Sequence, residues 1–349
     1  MAKKAKDAHV LIIRLSAMGD AAMTVPVILT LVDQYSGCKV TVLTKPQFAP
    51  IFESLGRTSV FPVDVKLRHK GISGLWRLFQ ELRRLDITHV ADLHNVLRSN
   101  VLGLFFKLFG FPLAKIDKGR AEKKALTRKR NKRFKPLKTT IARYFQVFAK
   151  LGFVLDTKEI YLLPKVAPNT KMQRFLEPRP LKMVGIAPFA AYPSKMYRLE
   201  LMEQVILGLL GNVQVNILLF GSPEEQSQLQ ELASKFDQGV RNVAGHLSFR
   251  EELGLISNLD VMLAMDSGNG HLAANYGVPV VTLWGVTHPY AGFSPYDQAE
   301  GNAVLPERAK YPLVPTSIYG NSYPEEYREA INSIPTKTVV HKVLEVMNA

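Results

Sequence analysis

The strongest constraint on the fold is an alternation of β-rich and helix-like segments that occurs twice along the chain. In the first half, β-rich runs at 9–15, 39–44, 59–63 and 87–93 are separated by segments with helical spacing of apolar residues. The same alternation starts again near residue 183. Strands that alternate with helices are typical of βαβ units around a parallel sheet. The sequence therefore predicts an α/β protein with two doubly wound, Rossmann-like domains that face a central cleft.

The length of 349 residues suits two domains, and a group of prolines marks the break between them. We expect an N-terminal domain over 1–165 and a linker over 166–181. A second α/β domain would follow over 182–325. The remaining 326–349 are expected to form a helical segment, with packing back on the N-terminal domain as one option.

The net charge of +15 is concentrated in the first half of the chain. Residues 1–165 contain 31 Lys and Arg against 12 Asp and Glu, whereas 166–349 contain 14 against 18. The segment 118–138 is the most basic and has little apolar content, which predicts a long exposed loop. Such asymmetry indicates an anionic partner, either a molecule that carries phosphate groups or an anionic membrane surface. A solvated loop without a partner remains the alternative. Nucleic acid is a disfavoured partner, because Phe134 is the only aromatic residue of this segment that could stack on a base.

Cysteine content and hydropathy indicate a cytoplasmic protein. Cys38 is the only cysteine, so no disulfide within the chain can form. The first apolar run follows three N-terminal lysines but is interrupted at Arg14, too early for a signal peptide. The apolar run 101–113 is too short to span a bilayer. We therefore expect a soluble protein that at most lies peripherally at the inner face of the inner membrane.

The turn after the first strand contains the first candidate site, Ser16-Ala17-Met18-Gly19-Asp20. Gly19 allows a tight turn, and Asp20 would lie at the start of a helix. Its carboxylate could cap that helix, or it could act as a general base for a hydroxyl group. The glycine fingerprint of dinucleotide-binding domains is absent from this turn, which argues against an NAD-dependent dehydrogenase.

Three turns in the second half carry polar side chains typical of nucleotide binding. Lys195 lies in a polar turn that suits a phosphate, although a lone lysine is often only solvated. Glu224 and Glu225 begin a helix, where they could either cap it or bind ribose hydroxyls. The segment 266–271 contains an acid, two glycines and a helix start directly after an apolar strand, an order that favours a diphosphate. His271 is either a structural histidine or a ligand-binding residue.

Four ordered motifs in this chain resemble those of glycosyltransferase family 9, the ADP-heptose:lipopolysaccharide heptosyltransferases. The run 14–20 is similar to the family's S-x-x-G-D signature, and 92–99 to its D-L-Q/H-x-x-x-R-S stretch. Asp266-Ser267-Gly268 with His271 is similar to the family's D-[TS]-G-x-x-H element. The run 283–289 follows, where the family usually has G-P-T-x-P.

The resemblance implies a GT-B fold and an inverting, metal-independent transfer from an ADP-activated heptose or related sugar, without a further cofactor. It implies that Asp20 is the general base. Donor and nucleotide binding is expected from eleven residues: Ser194, Lys195, Glu224, Glu225, Leu247, Asp266, Ser267, Gly268, Asn269, Gly270 and His271. Acceptor binding is expected from seven others: Arg14, Ser16, Met18, Gly19, His94, Arg98 and Arg120. The expected acceptor is an anionic, lipid-linked molecule such as Kdo-lipid A.

One departure from the family pattern leaves the donor sugar open, and two other functions remain as alternatives. The family's K-x-W-P is replaced here by Lys195-Met196-Tyr197-Arg198. A nucleotide-sugar epimerase could use the same fold, but it would need no lipid acceptor, so the basic first half argues against it. A non-catalytic nucleic-acid-binding protein could use the basic residues 115–138. It would leave Asp20, Lys195 and Asp266 without a shared purpose.

Overall fold

The computed structural model describes residues 7–177 and 181–349. The N-terminal lysines and residues 178–180 of the expected linker lie outside the described residues. In the described parts of the chain, no helix combines the length and the apolar character needed to cross a membrane.

The chain divides into two compact units that do not follow a single breakpoint. Unit 1 consists of the residues up to Lys118 together with Thr140–Leu163. Unit 2 consists of Gly119–Thr139 together with Pro164–Ala349. The chain therefore passes from one unit to the other three times.

Unit 1 contains a parallel sheet of five strands in the order β3-β2-β1-β4-β5. The strands are β1 (His9–Ile13), β2 (Lys39–Thr44), β3 (Thr58–Pro62), β4 (His89–Asp92) and β5 (Leu113–Lys115). The helices of this unit are α1 (Met18–Ala22), α2 (Val25–Gln34), α3 (Gly71–Arg83), α4 (Leu97–Leu108) and α6 (Thr140–Lys150). The four β-rich runs predicted in this half are confirmed as strands. The core includes Leu11 and Ile13 of β1, which are fully buried against apolar residues of α3 and α4.

Unit 2 contains a parallel sheet of six strands in the order β11-β10-β9-β6-β7-β8. The strands are β6 (Lys182–Ala187), β7 (Val215–Leu219), β8 (Val240–Asn242), β9 (Val261–Met265), β10 (Val280–Leu283) and β11 (Ala303–Val304). The helices are α5 (Arg120–Thr127), α7 (Thr170–Leu176), α8 (Leu199–Asn212), α9 (Gln226–Ser234), α10 (Phe249–Ile256), α11 (Gly268–Asn275) and α12 (Thr336–Met347). Two parallel sheets with intervening helices confirm the predicted α/β class.

The expected linker contains a packed helix. Within 166–181, α7 is capped by Asn169, whose side chain accepts a hydrogen bond from the backbone N–H of Met172 at 3.0 Å. Met172 and Leu176 are buried. The prolines that suggested a linker only flank this helix, and α7 packs against α10 in unit 2.

The C-terminal segment forms α12, and its apolar face lies in the core of unit 2. Val339, Val343 and Met347 are buried there, and α12 packs on α8. Gly208 of α8 allows the close approach, because a Cβ at this position would lie 2.7 Å from Val340. The sequence left open that this C-terminal segment packs on the N-terminal domain. In the structure, the apolar face of α12 packs within unit 2.

The basic segment differs from the predicted exposed loop, because its apolar and cationic side chains anchor it to unit 2. The ammonium group of Lys132 donates hydrogen bonds to the carbonyl oxygens of Leu313 at 2.7 Å and Pro315 at 2.6 Å. The ring of Phe134 packs against Tyr290, with 4.9 Å between ring centroids, and carries the guanidinium of Arg308 on its face. Burial and the neighbouring Arg308 lower the pKa of Lys132 to about 8.

The anchoring role of Lys132 leads to a prediction about proteolysis. We expect Lys132→Met to speed tryptic cleavage at Arg128–Arg130 about tenfold, because two partly buried carbonyl groups lose a charged donor and the segment opens more often. Cleavage of the folded protein is followed by mass spectrometry. Lys135→Met is the matched control, since Lys135 is exposed, lies outside the cleaved segment and precedes a proline, where trypsin does not cleave. Equal cleavage rates in both variants would show that Lys132 does not hold the segment.

Candidate functional site

Both sheets place their candidate site residues where the strand order reverses. In unit 1 this point lies between β1 and β4, and in unit 2 between β6 and β9. Ligands of open α/β sheets bind at such points, outside the carboxyl ends of the strands. The motif at 16–20 follows β1, and the polar turn at 92–99 follows β4. Ser194 and Lys195 follow β6, and the motif at 266–271 follows β9.

Asp20 forms an ion pair with the buried guanidinium of Arg14 in unit 1. Arg14 is 6% exposed and also donates a hydrogen bond to the carbonyl of Leu93 at 2.7 Å. The Asp20 side chain is 27% exposed, so a ligand can reach it. Its Oδ2 accepts the Arg14 contact and a 3.3 Å hydrogen bond from the backbone N–H of Ala17. Both contacts use one carboxylate oxygen, and Oδ1 remains available among the described residues.

Asp92 has a structural role in the turn after β4. It is fully buried and accepts hydrogen bonds from the backbone N–H groups of His94 and Asn95 at 2.9 and 2.8 Å. It also accepts one from the Ser99 hydroxyl at 2.9 Å. These bonds fix the turn that carries His94, which is buried, and Arg98, which is exposed at the start of α4. The structure thus gathers Arg14, Asp20 and the turn at 92–99 at one sheet edge.

Burial, and the nearby positive charge of Arg14, lower the pKa of His94 to about 4. The folded protein therefore keeps this imidazole neutral at pH 7, while the unfolded chain takes up a proton below about pH 6.5. Protonation of the unfolded chain destabilises the fold as the pH falls from about 6.5 towards 4.

We expect His94→Gln to reduce this acid sensitivity. The free energy of unfolding of the variant should fall by about 2 kcal/mol less than that of the wild type between pH 7 and pH 5. Urea unfolding at both pH values measures the difference. His341→Gln, at an exposed histidine of α12, serves as the control and should change nothing. An identical pH dependence of wild type and His94→Gln would contradict the prediction.

Lys195 and Asp266 form a buried ion pair in unit 2. The ammonium of Lys195 lies 2.9 Å from Oδ2 of Asp266, and the two side chains are only 11% and 10% exposed. The hydroxyl of Thr287 also donates to Oδ2 of Asp266 at 2.9 Å. The sequence predicted both charged residues, and the structure brings them together.

The helix after Asp266 directs its N-terminus towards this pair. α11 begins at Gly268 with Ser267 as the preceding residue, so its first backbone N–H groups are not used within the helix. The Ser267 hydroxyl is buried without a hydrogen-bond partner among the described residues. His271 is buried in the second turn of the helix. A buried lysine, a free hydroxyl and a helix N-terminus are the groups that bind anions in many proteins.

Two glycines keep this site compact, and the sequence motifs did not single them out. A Cβ at Gly285 would lie 2.2 Å from the carbonyl oxygen of Ser194. Gly320 has a positive φ of 86°, and a Cβ there would lie 2.5 Å from the Lys195 side chain. The Ser194 hydroxyl donates to the carbonyl of Gly320 at 2.6 Å. Gly285 and Thr287 lie in the run 283–289, where the family usually has G-P-T-x-P. This motif was the sequence signal that could have identified both residues.

The remaining predicted residues lie on the surface of unit 2. Oε2 of Glu225 accepts a hydrogen bond from the backbone N–H of Ser222 at 2.7 Å and so caps the turn before α9, whereas Glu224 is exposed. Leu247 is half-buried in the turn before α10. Arg120 is exposed at the first position of α5, in unit 2 and not in unit 1. In the described parts of the chain, no three His, Cys, Asp or Glu side chains form a group that could hold a metal ion.

Comparison with known proteins identifies similar sequences and folds. The model of glycosyltransferase family 9 (heptosyltransferase) matches residues 75–322. The lipopolysaccharide core heptosyltransferase OpsX of Haemophilus influenzae is 22% identical over 333 residues, which cover 94% of this chain and 89% of OpsX.

Solved structures show the same fold at lower identity. A family 9 glycosyl transferase from Veillonella parvula has a TM-score of 0.74 at 18% identity, covering 98% of this chain and 97% of its own. The E. coli heptosyltransferase WaaC, solved with ADP, has a TM-score of 0.68 at 19% identity, covering 97% and 99%. The likeness confirms the expected GT-B fold with its two Rossmann-like domains.

Proposed function

The chain belongs to glycosyltransferase family 9 and is a glycosyltransferase, and from this premise we propose that it transfers heptose, or a closely related sugar, from an ADP-sugar to the lipopolysaccharide core. The observation that carries the proposal is the buried Lys195–Asp266 pair at the N-terminus of α11. Two relatives support the choice of substrates: OpsX acts on the lipopolysaccharide core by its name, and WaaC was solved with ADP.

Asp20 is proposed as the general base of a single displacement. The acceptor hydroxyl oxygen attacks the anomeric carbon of the donor sugar, the bond from that carbon to the ADP oxygen breaks, and ADP leaves with the electron pair. Asp20 takes the hydroxyl proton, and Oδ1 is the oxygen that suits this task, because Oδ2 contacts Arg14 and Ala17. One displacement inverts the configuration at the anomeric carbon.

Unit 2 is proposed to stabilise the leaving diphosphate without a metal ion. Lys195 supplies a positive charge, and the Ser267 hydroxyl and the first backbone N–H groups of α11 supply hydrogen-bond donors. Donor binding would exchange part of the Lys195–Asp266 contact for phosphate, which frees the Asp266 carboxylate for hydroxyl groups of the sugar. Charge on the leaving group would then be balanced by side chains and a helix dipole.

The nucleoside is proposed to contact the turns before α9 and α10. Glu224 is the better candidate for the ribose hydroxyls, because it is exposed while Glu225 already caps the turn. Leu247 would contact the adenine ring. An anionic, lipid-linked acceptor such as Kdo-lipid A is proposed for the residues of unit 1, in a protein located in the cytoplasm at the inner face of the membrane.

The proposal is tested first by isothermal titration with ADP, UDP and GDP in the presence of EDTA. We expect ADP to bind at least about tenfold more tightly than UDP or GDP, which corresponds to about 1.4 kcal/mol. A preference for UDP or GDP would move the donor to another nucleotide sugar. The absence of binding to all three would contradict a nucleotide-dependent enzyme.

Transfer itself is tested with ADP-heptose and detergent-solubilised Kdo-lipid A, and the product is detected by its mass. Addition of one heptose in EDTA, with inverted anomeric configuration by NMR, is the expected result. Conversion of a nucleotide sugar to its epimer without transfer would support the alternative epimerase function.

A further inference from the structure

Helices α3 and α4 of unit 1 expose an apolar face where a water-soluble helix normally carries polar groups. On α4, Leu104 and Leu108 lie one turn apart and are 51% and 71% exposed. On α3, Ile72 is 72% exposed and Trp76 is 40% exposed, again one turn apart. The two helices pack against each other in unit 1. Their outer faces therefore form one surface, which we call the α3–α4 patch.

Aromatic contacts make this patch a continuous and ordered surface. Trp76 packs edge-on against Phe105, with 5.2 Å between ring centroids, and lies 5.9 Å from Phe109. Phe109 is itself 47% exposed, and the guanidinium of Arg83 lies 4.7 Å from its ring centre. The exposed rings are thus held in place by neighbours from both helices, in contrast to isolated apolar side chains scattered over a surface.

The part of the chain that forms the α3–α4 patch is rich in basic residues and poor in acidic ones. The sequence from 65 to 116 contains nine Lys and Arg against three Asp and Glu. Of the three acids, Asp92 is fully buried and Glu81 is bound to Arg68 and His69. Asp86 is the remaining exposed carboxylate. Exposed cations of the two helices and their ends include Lys70, Arg77, Arg83, Arg84 and Lys107.

We propose that the α3–α4 patch is a docking surface for an anionic phospholipid bilayer. Trp and Phe together with Leu on a helix face, with Lys and Arg around them, are the side chains that settle in the interface of a membrane. The apolar centre enters the boundary between headgroups and acyl chains, and the basic rim contacts the phosphate groups. A second copy of this chain would bring an equally basic rim, so charge repulsion opposes self-association. Nucleic acid would leave the leucines without a partner.

The α3–α4 patch shares no residue with the basic segment of 119–139, which belongs to unit 2, or with the residues proposed to bind substrates. It goes beyond the proposed transfer reaction and does not depend on it. Transfer can be assayed with an acceptor in detergent, and vesicle binding can be assayed without substrates. The failure of one proposal is therefore distinguishable from the failure of the other.

The first test is sedimentation with vesicles of phosphatidylglycerol and phosphatidylcholine, or of phosphatidylcholine alone. We expect the double variant Leu104→Ser/Leu108→Ser to lower the partition coefficient on anionic vesicles at least about tenfold, because two leucines no longer insert. Leu207→Ser is the matched control, since Leu207 of α8 is 54% exposed in unit 2. It should bind like the wild type. Equal loss in both variants, or unchanged binding of the double variant, would overturn the proposal.

A second measurement reports insertion directly and needs no variant that changes the patch. The chain has two tryptophans, and Trp284 is buried, so a change on vesicle binding reports Trp76. We expect a blue shift of the emission on anionic vesicles and quenching by lipids brominated near the headgroup end of the acyl chain. Binding without a shift or quenching would mean that the patch stays in water. A concentration-dependent dimer that persists in the wild type and dissociates in Leu104→Ser/Leu108→Ser would assign the patch to self-association and also overturn the proposal.

Discussion

We expect Asp20→Asn to lower kcat by about 10²- to 10⁴-fold while the affinity for ADP stays within about twofold of the wild type. The amide keeps the shape of the carboxylate but cannot take up the proton of the acceptor hydroxyl. Nucleotide binding is proposed for residues of unit 2, whereas Asp20 lies in unit 1. Initial rates with ADP-heptose and titration with ADP measure the two quantities on the same preparation.

Asp20→Asn removes the negative charge beside the buried guanidinium of Arg14, and this loss could lower kcat by destabilising the fold. Arg14 is 6% exposed and loses its countercharge, so thermal unfolding has to show that the variant is folded at the assay temperature. Asp86→Asn removes an exposed carboxylate from the same unit and should leave kcat unchanged. If Asp20→Asn weakened ADP binding and left kcat intact, the assignment of Asp20 as base would be wrong.

The second large effect is expected for Lys195→Met, which should weaken ADP binding about 100-fold. The variant removes the ammonium proposed to neutralise the diphosphate. It also leaves Asp266 buried without its charged partner, so we expect a loss of about 3 kcal/mol in the free energy of unfolding. The double variant Lys195→Met/Asp266→Asn should recover most of that stability but not the ADP affinity, because the buried charge is gone while the phosphate contact is still missing. Denaturant unfolding and ADP titration separate the two effects.

An exposed ion pair of the same unit provides the comparison for Lys195. Lys182 lies 3.7 Å from Asp260, and their side chains are 52% and 36% exposed. Lys182→Met should change the stability by less than about 0.5 kcal/mol and leave ADP binding unchanged. Unchanged ADP affinity in Lys195→Met would mean that other groups bind the diphosphate.

The sequence predicted the long strands and helices because their apolar periodicity is strong. It missed β5, β8 and β11, which have three, three and two residues. A run of two or three residues is too short to show the alternation of apolar and polar side chains that predicts a strand. These strands form because a neighbouring strand offers hydrogen-bond partners. The sequence did not predict the helix α5, for another reason. Its sequence is dominated by charge, and only Lys123 and Leu126 are buried.

The site was predictable in its local motifs and not in its long-range contacts. The turns that carry Asp20, Lys195 and Asp266 follow strands directly, so their place at a sheet edge could be inferred from the sequence. The partner of Ser194 is the carbonyl of Gly320, which lies 126 residues further along the chain. Nothing in a single sequence specifies such a pairing, since it depends on how loops of different strands fold over one another. The pairing of Lys195 with Asp266 was equally invisible before the fold was known.

The three crossings of the chain between its units make each unit discontinuous in the gene. A fragment that starts after residue 165 would contain the whole six-stranded sheet and still lack Lys132 and Phe134. The carbonyls of Leu313 and Pro315 and the ring of Tyr290 would then lose the side chains that contact them. A fragment that ends at residue 165 would carry 119–139 without the surface on which it packs. The protein is therefore modular in its architecture but not in its coding sequence, and exchange of donor units between relatives would require two segments to be moved together.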